Sequence, residues 1–455
     1  MRPSVLTQLC SLFAAVLLAG CGGGSDEASA SSAPTPGEGL VTSSGPYTEI
    51  ENVRPVIVAD WQSALIDSER ARSWGTLQVL PAHNQRVVQN PPVFSWPLHP
   101  PTVANQVYAY DLEVRFPDGA IKRYSVGTNW YLPRELFPAG NYHWRVIGRG
   151  LALAGADAVG AWRDFSVTAD AVSVFDAGVL EQASTDASWF AAVAATAHPR
   201  IVSEADLAAL RPFILTQRKV VWDAVTARVA AQASDAGQAP PPMPTITQLT
   251  AAQLTTLCET EQRRIEEAAL VWRMWRSSAS ASELSAANAA LADAKARLLN
   301  LAAWDNTTFT GQDSNTDVAV RHVLWAMVVG FDHLYNALTV SERDTLVRVI
   351  AIRAGQLQSR AIGAFRSRER MPLEAHSAGS LITLAATTAT MAGEVIGGNA
   401  QFSEAQFARL VPLAYAVGHP WGGGDGAYGN GGGYGEWLMD TSFLYLDALH
   451  AVTGA

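Results

Sequence analysis

A single histidine stands where the sequence predicts the start of a helix. His376 follows Pro372 by four residues, and proline is typical of the first turn of a helix. The positive end of the helix dipole favours a neutral imidazole, which can accept a proton or hydrogen-bond a carboxyl group. A lone histidine in such a place is often only structural, so both interpretations stay open. The neighbouring Glu374 is expected to be solvated.

A glycine-rich segment follows further along the chain. In residues 421–437, nine of the seventeen residues are glycine. The aromatic and polar residues between them are Trp421, Asp425, Tyr428, Asn430, Tyr434, Glu436 and Trp437. Aromatic rings can stack on sugars, and glycine lets the backbone approach a ligand closely. The segment is therefore either a carbohydrate-binding loop or a low-complexity linker, and it lacks the Gly-Lys-Ser/Thr ending of a phosphate-binding loop.

Three arginines, Arg366, Arg368 and Arg370, lie directly upstream of the helix that carries His376. Runs of this kind are usually a solvated face. If these residues line the same cleft as His376, they would attract the carboxylates or sulfates of an anionic substrate. They are therefore candidates for substrate binding.

The sequence gives no support for a metal or a cofactor. It has no cysteine pair and no His-Glu-x-x-His, and Asp425-Gly426 lacks the remaining acidic positions of a calcium loop. A Gly-x-Ser-x-Gly nucleophile elbow does not occur either. We therefore expect neither a metal site nor a bound cofactor.

Composition and charge narrow the functional classes. The chain has 455 residues, of which 48% are hydrophobic and 16% charged, and its formal net charge is −10. Such a composition excludes disorder throughout, and a length prior of about 150 residues per domain suggests roughly three units. The acidic total also argues against nucleic acid as the main partner, because phosphate neutralisation needs an excess of Lys and Arg.

The N-terminus is predicted to be a targeting segment. Residues 1–20 have a positive start followed by an apolar stretch too short to span a bilayer. The run Leu18-Ala19-Gly20-Cys21 resembles a bacterial lipobox, in which Cys21 would be lipidated. Gly22 after that cysteine resembles lipoproteins sent to the outer membrane, and residues 21–46 are expected to form a flexible Gly/Ser/Ala/Pro tether. Cys258 remains as a small buried hydrophobe, without an intrachain disulfide.

The first part of the predicted folded body, residues 47–170, has strand periodicity. Apolar residues alternate with polar ones from Tyr108 to Phe116, which predicts a half-buried strand. Pro117-Asp118-Gly119-Ala120 then predicts a turn, and 121–126 a return strand. Tyr142, Trp144 and Val146 alternate again. This pattern fits a small β-sandwich.

From 171 to 455 the chain is expected to be helical, with the change of period after His198-Pro199-Arg200. Ser203 is predicted to cap a helix that buries Leu207, Leu210 and Ile214 on one face. Residues 318–338 form a second apolar helix, and Thr339 to Glu342 cap a third. Between 203 and 452 we expect seven to nine helices in a layered all-α body.

At these residues the sequence resembles the heparinase II/III-like polysaccharide lyases, particularly members with a fibronectin-like unit before the helical domain. The likeness covers most of residues 47–455. The segments that carry it are Asn90-Pro91-Pro92, Phe94-Ser95-Trp96-Pro97, Pro138 to Val146, His198-Pro199-Arg200, Phe331 to Tyr335, Leu338 to Arg343, His376 and Asp425 to Tyr434. Each segment alone is moderately specific, and their order is more so.

The resemblance implies a fibronectin-like β-sandwich followed by an (α/α) toroid, and cleavage of an acidic, uronate-containing polysaccharide by β-elimination. This chemistry needs neutralisation of the uronate carboxylate, a base at C5 and an acid at the leaving oxygen. By matching positions, His376 would hold the carboxylate or act as base. Tyr434 would be base or acid, with Tyr428 as the second candidate. A lipid-anchored enzyme of the bacterial cell envelope is expected.

The sequence departs from the family in several places. Ala375 stands where many members have Asn, Asn430 replaces a Glu, and Gly379 takes the place of a Glu that follows the His in heparinase II. Members also continue into a β-sheet domain with another catalytic His, whereas this chain stops at Ala455. The resemblance therefore implies a toroid that is incomplete at its C-terminus.

Two other functions stay open from the sequence. A glycoside hydrolase on a similar toroid would use two carboxylates across the glycosidic bond, and the candidates are Glu374, Asp425, Glu436 and Asp440. A non-catalytic glycan-binding surface lipoprotein would keep the aromatic stacking without turnover. The products separate the three, because only a lyase makes an unsaturated uronate.

Overall fold

The computed structural model describes residues 79–99, 108–152, 155–173, 187–243, 249–305, 317–361, 375–418 and 445–453. The predicted signal peptide 1–20, the lipid-bearing Cys21 and the tether to residue 46 lie outside these ranges. Within them the chain contains both strands and helices, so the fold is mixed α and β. No helix in the described ranges combines the length and the apolar character needed to cross a membrane.

Strands come first along the chain. They are β1 (Gln85–Asn90), β2 (Phe94–Ser95), β3 (Tyr110–Arg115), β4 (Ile121–Val126), β5 (Trp130–Tyr131), β6 (Gly140–Gly148), β7 (Ala158–Val159) and β8 (Arg163–Ser173). One sheet has the order β1-β8-β6-β3-β4, with β7 paired to β6, while β2 pairs with β5 separately. β1 runs parallel to β8, and the other pairs are antiparallel.

The inner face of the sheet follows the alternation in the sequence. Leu112 and Val114 of β3 are fully buried, as are Tyr142 and Trp144 of β6. The predicted return strand is confirmed as β4, which pairs antiparallel with β3. Aromatic rings fill the space between the strands, for example Tyr142 stacked on Phe165 with ring centroids 5.1 Å apart.

The expectation of a half-buried β3 is wrong for its outer face. Asp111 and Glu113 are each only 3% exposed, because side chains from neighbouring strands cover them. Ser125 Oγ donates to Asp111 Oδ1 at 2.6 Å, and Arg145 Nε donates to Glu113 Oε2 at 2.7 Å. Burial raises the pKa of both carboxyls, but these hydrogen bonds and nearby arginines, such as Arg149 beside Asp111, outweigh burial and leave both pKa values lowered.

Helices make up the rest of the described chain. They are α1 (Ala187–Ala195), α2 (Glu204–Thr216), α3 (Lys219–Ser234), α4 (Ala251–Trp275), α5 (Ala281–Ala303), α6 (Asp317–Leu334), α7 (Val340–Ala361), α8 (Ala375–Thr390), α9 (Glu404–Gly418) and α10 (445–453). A two-stranded hairpin, β9 (Val395–Ile396) and β10 (Asn399–Ala400), joins α8 to α9. Nine of these helices begin after Ser203 in the described ranges, and seven to nine were expected between residues 203 and 452.

The predicted caps are confirmed. Ser203 caps α2 by accepting a hydrogen bond from the amide of Asp206, and Leu207 and Leu210 of that helix are buried. At the start of α7, Thr339 Oγ1 accepts from the amide of Glu342 at 3.2 Å, and the Glu342 carboxylate accepts from the Thr339 amide at 2.7 Å. This reciprocal pair is a capping box.

Two boundaries differ from the sequence analysis. Strand β8 continues to Ser173, past the predicted end of the β region at residue 170. Helix α1 precedes His198, where the helical period was expected to begin. Trp189 of α1 contacts Phe407 of α9 at a ring-centroid distance of 5.3 Å, and its Nε1 donates to the carbonyl of Thr453. Partners that lie this far along the chain stabilise α1, so local periodicity did not show it.

Helix α6 occupies the centre of the helical part, and every one of its residues is buried. It packs against α4, α5, α7 and α8. A helix that is covered all round must be apolar or must pair its polar groups, because an unpaired buried charge is costly. The polar residues of α6 are therefore the places where a site is most readily built. Cys258 of α4 is also fully buried, as predicted, and burial raises the pKa of its thiol.

Candidate functional site

His376 is the second residue of α8 in the described ranges, which resume at Ala375, and Pro372 lies outside them. Nδ1 of His376 lies 3.1 Å from Oδ1 and 3.2 Å from Oδ2 of Asp317, the first residue of α6. A carboxylate can only accept, so Nδ1 carries the proton and donates it to Asp317. In the neutral ring the lone pair then lies on Nε2. The histidine side chain is 17% exposed, whereas the Asp317 side chain is fully buried.

A buried arginine supports the Asp317 carboxylate. Arg321 lies one turn after Asp317 on α6, and its Nη2 is 3.7 Å from Asp317 Oδ2. Its guanidinium lies against Gly379 of α8, where an added Cβ would be 1.7 Å from Nη1. A side chain at position 379 would therefore displace the arginine. Gly379, one of the departures from the heparinase II pattern, is required by this close approach.

A buried tyrosine completes this part of the helical core. Tyr445 of α10 contacts Trp325 edge to face, with ring centroids 4.8 Å apart. Burial raises the pKa of its phenol to about 12, although the positive charge of Arg321 and a hydrogen bond with Thr383 oppose that rise. The charge of Glu266 adds to it. The charges of Arg321 on α6 and Glu266 on α4 therefore act on the Tyr445 phenol in opposite directions.

The carboxyl of Glu266 on α4 has a raised pKa. Its side chain is half-buried, and burial raises its pKa to about 7. The hydrogen bond from the side-chain amide of Gln262 lowers this pKa, whereas the negative charge of Glu267 raises it further. Gln262 Nε2 donates to Glu266 Oε1 at 2.9 Å. On its other side Gln262 Oε1 lies 2.6 Å from Nδ1 of His322, whose pKa is lowered to about 3 by burial and by the charge of Arg321. His322 is therefore neutral and donates to Gln262.

A second histidine–aspartate pair lies at the other end of α6. His198 Nδ1 is 2.5 Å from Asp332 Oδ1, and His198 Nε2 is 3.1 Å from Glu394 Oε1. Asp332 also accepts hydrogen bonds from the amides of Arg200 and Ile201 at 2.8 and 3.0 Å. The His198 side chain is only 3% exposed. Both ring nitrogens of His198 are hydrogen-bonded and its side chain is buried, so this closed pair suits a structural role.

Arg200, which lies beside the second pair, is also fully engaged in hydrogen bonds. Nη1 of Arg200 donates to the carbonyls of Thr390 and Ala392, both at 2.8 Å, and so fixes the end of α8. Burial lowers the pKa of His198, but the hydrogen bonds from its ring to Asp332 and Glu394 outweigh burial and raise it above the usual value. The structure thus brings together two sequence segments, His198-Pro199-Arg200 and Phe331-Asp332-His333, that are more than a hundred residues apart.

Of the candidate catalytic, binding and lipidation residues that the sequence singled out, only His376 lies within the described ranges. The others that lie outside these ranges are Tyr428, Tyr434, Arg366, Arg368, Arg370, Trp421, Asp425, Asn430, Trp437, Cys21, Glu374, Glu436 and Asp440. The sequence analysis missed Asp317, Arg321, Glu266 and Tyr445. Asp317 and Arg321 have a sequence signal, because they form a charged pair four residues apart in a largely apolar helix.

In the part of the chain that the structure describes, no group of three or more His, Cys, Asp or Glu side chains is arranged to hold a metal ion. A search against protein-family models finds no match, and a search of curated proteins finds none either.

Proposed function

We propose that this protein is a polysaccharide lyase that cleaves a uronate-containing acidic polysaccharide by β-elimination. The observation that carries the proposal is the arrangement of His376: its Nδ1 is held by the buried Asp317, and its ring retains partial solvent access at the start of α8. A histidine whose Nδ1 is held by a carboxylate has a fixed ring orientation, as a general base or a carboxylate-binding group requires.

The chemistry of β-elimination matches this arrangement. The C5 proton of a uronate becomes more acidic when the adjacent carboxylate is neutralised, and a positioned base then removes it. His376 serves one of these two needs. Asp317 orients the ring, and Arg321 holds Asp317, so both act through His376 and neither needs to touch the substrate. Tyr434 serves as base or acid, with Tyr428 as the second candidate.

The finer architecture belongs to the same proposal. We assign the strand region to a fibronectin-like β-sandwich and the helices to an (α/α) toroid that surrounds the substrate cleft. The order of eight strands followed by helices, with a central helix buried by its neighbours, supports this assignment. Cys21 would anchor the enzyme in the bacterial cell envelope, at the outer membrane, where it meets polysaccharide.

The direct test is the ultraviolet absorbance of uronic-acid polysaccharides incubated with the purified protein. β-Elimination forms a conjugated C4–C5 double bond, so a lyase raises the absorbance and the polymer that responds identifies the glycan. A folded protein that raises no absorbance on glycosaminoglycan, alginate or other uronate polymers would contradict the proposal.

Three variants then test the assigned residues. His376→Ala and Tyr434→Phe should each abolish the absorbance change while the protein stays folded. The matched control is His143→Ala, because His143 also contacts an aspartate, Asp164, but on the β-sheet. It should leave the rate unchanged. Near-wild-type rates in both His376→Ala and Tyr434→Phe would rule out the assignment.

A glycoside hydrolase is the second candidate, and Glu266 favours it. A carboxyl with a pKa of about 7 stays partly protonated at neutral pH, as the general acid of a hydrolase must. New reducing ends without an absorbance change would identify hydrolysis. Binding without either product would identify a glycan-binding protein.

A further inference from the structure

We propose that the outer face of the β-sheet binds acidic polysaccharide, and that the guanidinium groups of Arg115 and Arg145 hold its carboxylate or sulfate groups. Neither the sequence motifs nor the resemblance pointed to these residues. The inference does not depend on the proposed lyase activity, because it concerns binding at the strands and uses no residue of the helical part.

The register of the sheet brings five side chains together, which we call the Trp162 cluster. Glu113 of β3 lies opposite Arg123 of β4 on one side and Arg145 of β6 on the other. Arg115 follows Glu113 by two residues on β3 and therefore shares its face of the sheet. Trp162 directly precedes β8, and the Cζ atoms of Arg115 and Arg145 each lie 4.6 Å from the centre of its ring.

A buried carboxylate fixes two of the three arginines. The Glu113 side chain is only 4% exposed, and each of its oxygens accepts from a different arginine. Oε1 accepts from Nε and Nη2 of Arg123 at 3.0 and 2.5 Å, and Oε2 accepts from Nε of Arg145 at 2.7 Å. These bonds hold the guanidinium groups in place before a ligand arrives, which lowers the entropy cost of binding.

Arg115 and Arg145 keep donors for a ligand. Within the described residues Arg115 forms no ion pair, and its guanidinium contacts the Trp162 ring. Arg145 donates to Glu113 through Nε, and its two Nη groups have no acceptor in the part of the chain that the structure describes. Both side chains are partly exposed. A guanidinium presents its N–H groups as a planar fork that matches a carboxylate or a sulfate, so both arginines suit oxyanions.

The cluster has an excess of positive charge on a chain that is acidic overall. Its three arginines face the single carboxylate of Glu113. Of the other acidic residues on this face, Asp111 is paired with Arg149, and Asp164 contacts His143 at 2.5 Å. With Asp164 counted, three positive charges face two negative ones. Because the whole chain has a net charge of −10, an acidic polymer is repelled by most of the surface and attracted here.

The extent of the cluster favours a polymer over a small anion. The row from Arg123 on β4 to Trp162 beside β8 crosses three strand spacings, about 14 Å. A small anion covers one guanidinium at a time. A polysaccharide with repeated carboxylate or sulfate groups engages several at once, and each further contact adds to the affinity without a new association cost.

The test measures binding of the purified full-length protein to immobilised heparin and polygalacturonate, with dextran as the uncharged control. We expect at least one acidic polymer to bind, more tightly at low salt, and dextran not to bind. The polymer that binds shows whether sulfate or carboxylate is preferred. Replacing both arginines, Arg115→Gln with Arg145→Gln, should weaken this binding by at least about tenfold.

The matched control is Arg86→Gln. It removes the same charge from the same sheet, where Arg86 forms an exposed ion pair with Asp170, and it should leave the affinity nearly unchanged. Trp162→Leu keeps every charge but removes the ring that orders both guanidinium groups, so it should weaken binding by about two- to tenfold. Arg115→Gln alone removes no ion pair within the described residues, so it reports on binding even if the double variant unfolds.

Several outcomes would overturn the proposal. One is an equal affinity of the double variant and Arg86→Gln, and another is wild-type affinity in Trp162→Leu, which would mean general charge attraction without a built site. Binding to vesicles of anionic lipid but to neither acidic polymer would assign the face to a membrane surface instead. A protein that binds an acidic polymer through these arginines but cleaves none contradicts only the proposed function.

Discussion

Helix α6 holds two histidine–aspartate pairs, one at each end, and they are built differently. At the C-terminal end Asp332 accepts from His198 and from two backbone amides, and the second nitrogen of His198 meets Glu394. At the N-terminal end Asp317 meets His376 at a longer distance, in a ring with several times the exposure. The two aspartates are separated by roughly 22 Å along the helix axis.

The difference shows how one pair of residue types serves two purposes. A carboxylate saturated by backbone donors fixes the chain around it, because each donor would be costly to leave unpaired. A carboxylate that holds one nitrogen of a partly exposed histidine fixes the orientation of the ring, as chemistry at that ring requires. The His198 pair is therefore assigned to stability and the His376 pair to the proposed catalysis.

The largest expected effect is on the closed pair. Asp332→Ala leaves His198 and the amides of Arg200 and Ile201 without their acceptor, so the free energy of unfolding should fall by about 3–5 kcal/mol. The denaturation midpoint measures this loss. Asp223→Ala is the control, because Asp223 forms an exposed ion pair with Lys219 and its removal should cost at most about 0.5 kcal/mol. Equal losses in the two variants would contradict the assignment of the closed pair.

Gly379→Ala tests the His376–Asp317 pair through Arg321, the arginine that lies against Gly379. The new Cβ would meet the guanidinium of Arg321, so we expect a loss of about 1–3 kcal/mol of stability together with slower turnover. Gly355→Ala on α7 is the matched control, because no atom lies within 4 Å of the added Cβ. There the better helix propensity of alanine should add up to about 1 kcal/mol. If Gly379→Ala changed neither the stability nor the turnover rate, the close approach of Arg321 to position 379 would not matter for either.

The pH dependence of stability gives the smallest effect. The pKa of His198 is raised above its usual value of 6.5, so the folded protein holds this proton more tightly than the unfolded chain. The resulting stabilisation is complete below pH 6.5 and is lost as pH rises through the raised pKa. The difference in unfolding free energy between wild type and His198→Gln should therefore shrink with rising pH. A difference that grows instead would show that His198 is neutral in the fold.

Much of the fold could be predicted from the sequence. Period-two alternation predicted β3 and β6, and the turn at residues 117–120 predicted the return strand β4. The Ser203 and Thr339 caps predicted the starts of α2 and α7, because these signals are local. The covered outer face of β3 could not be predicted, since it depends on arginines from neighbouring strands. Helix α1 was missed because its partners, such as Phe407, lie far along the chain.

The candidate site was predictable only in part. His376 was found from its place at a helix start, but its partner Asp317 lies 59 residues away, and no local pattern joins them. Glu266 was not distinguishable from the other acidic residues of α4, because its perturbed pKa arises from burial in the folded protein. The pairing of His198 with Asp332 is equally long-range.

The most direct measurement compares His376→Ala with His198→Ala in two assays, product absorbance on a uronate polymer and chemical denaturation. His376→Ala should lower the rate by about 10²–10⁴ and lower the denaturation midpoint much less than His198→Ala does, because Asp317 keeps the nearby guanidinium of Arg321. His198→Ala should lower the midpoint strongly, while the protein that remains folded cleaves the polymer at close to the wild-type rate. If His376→Ala keeps the wild-type rate and loses as much stability as His198→Ala, the two pairs are alike and the proposed catalytic role of His376 is wrong.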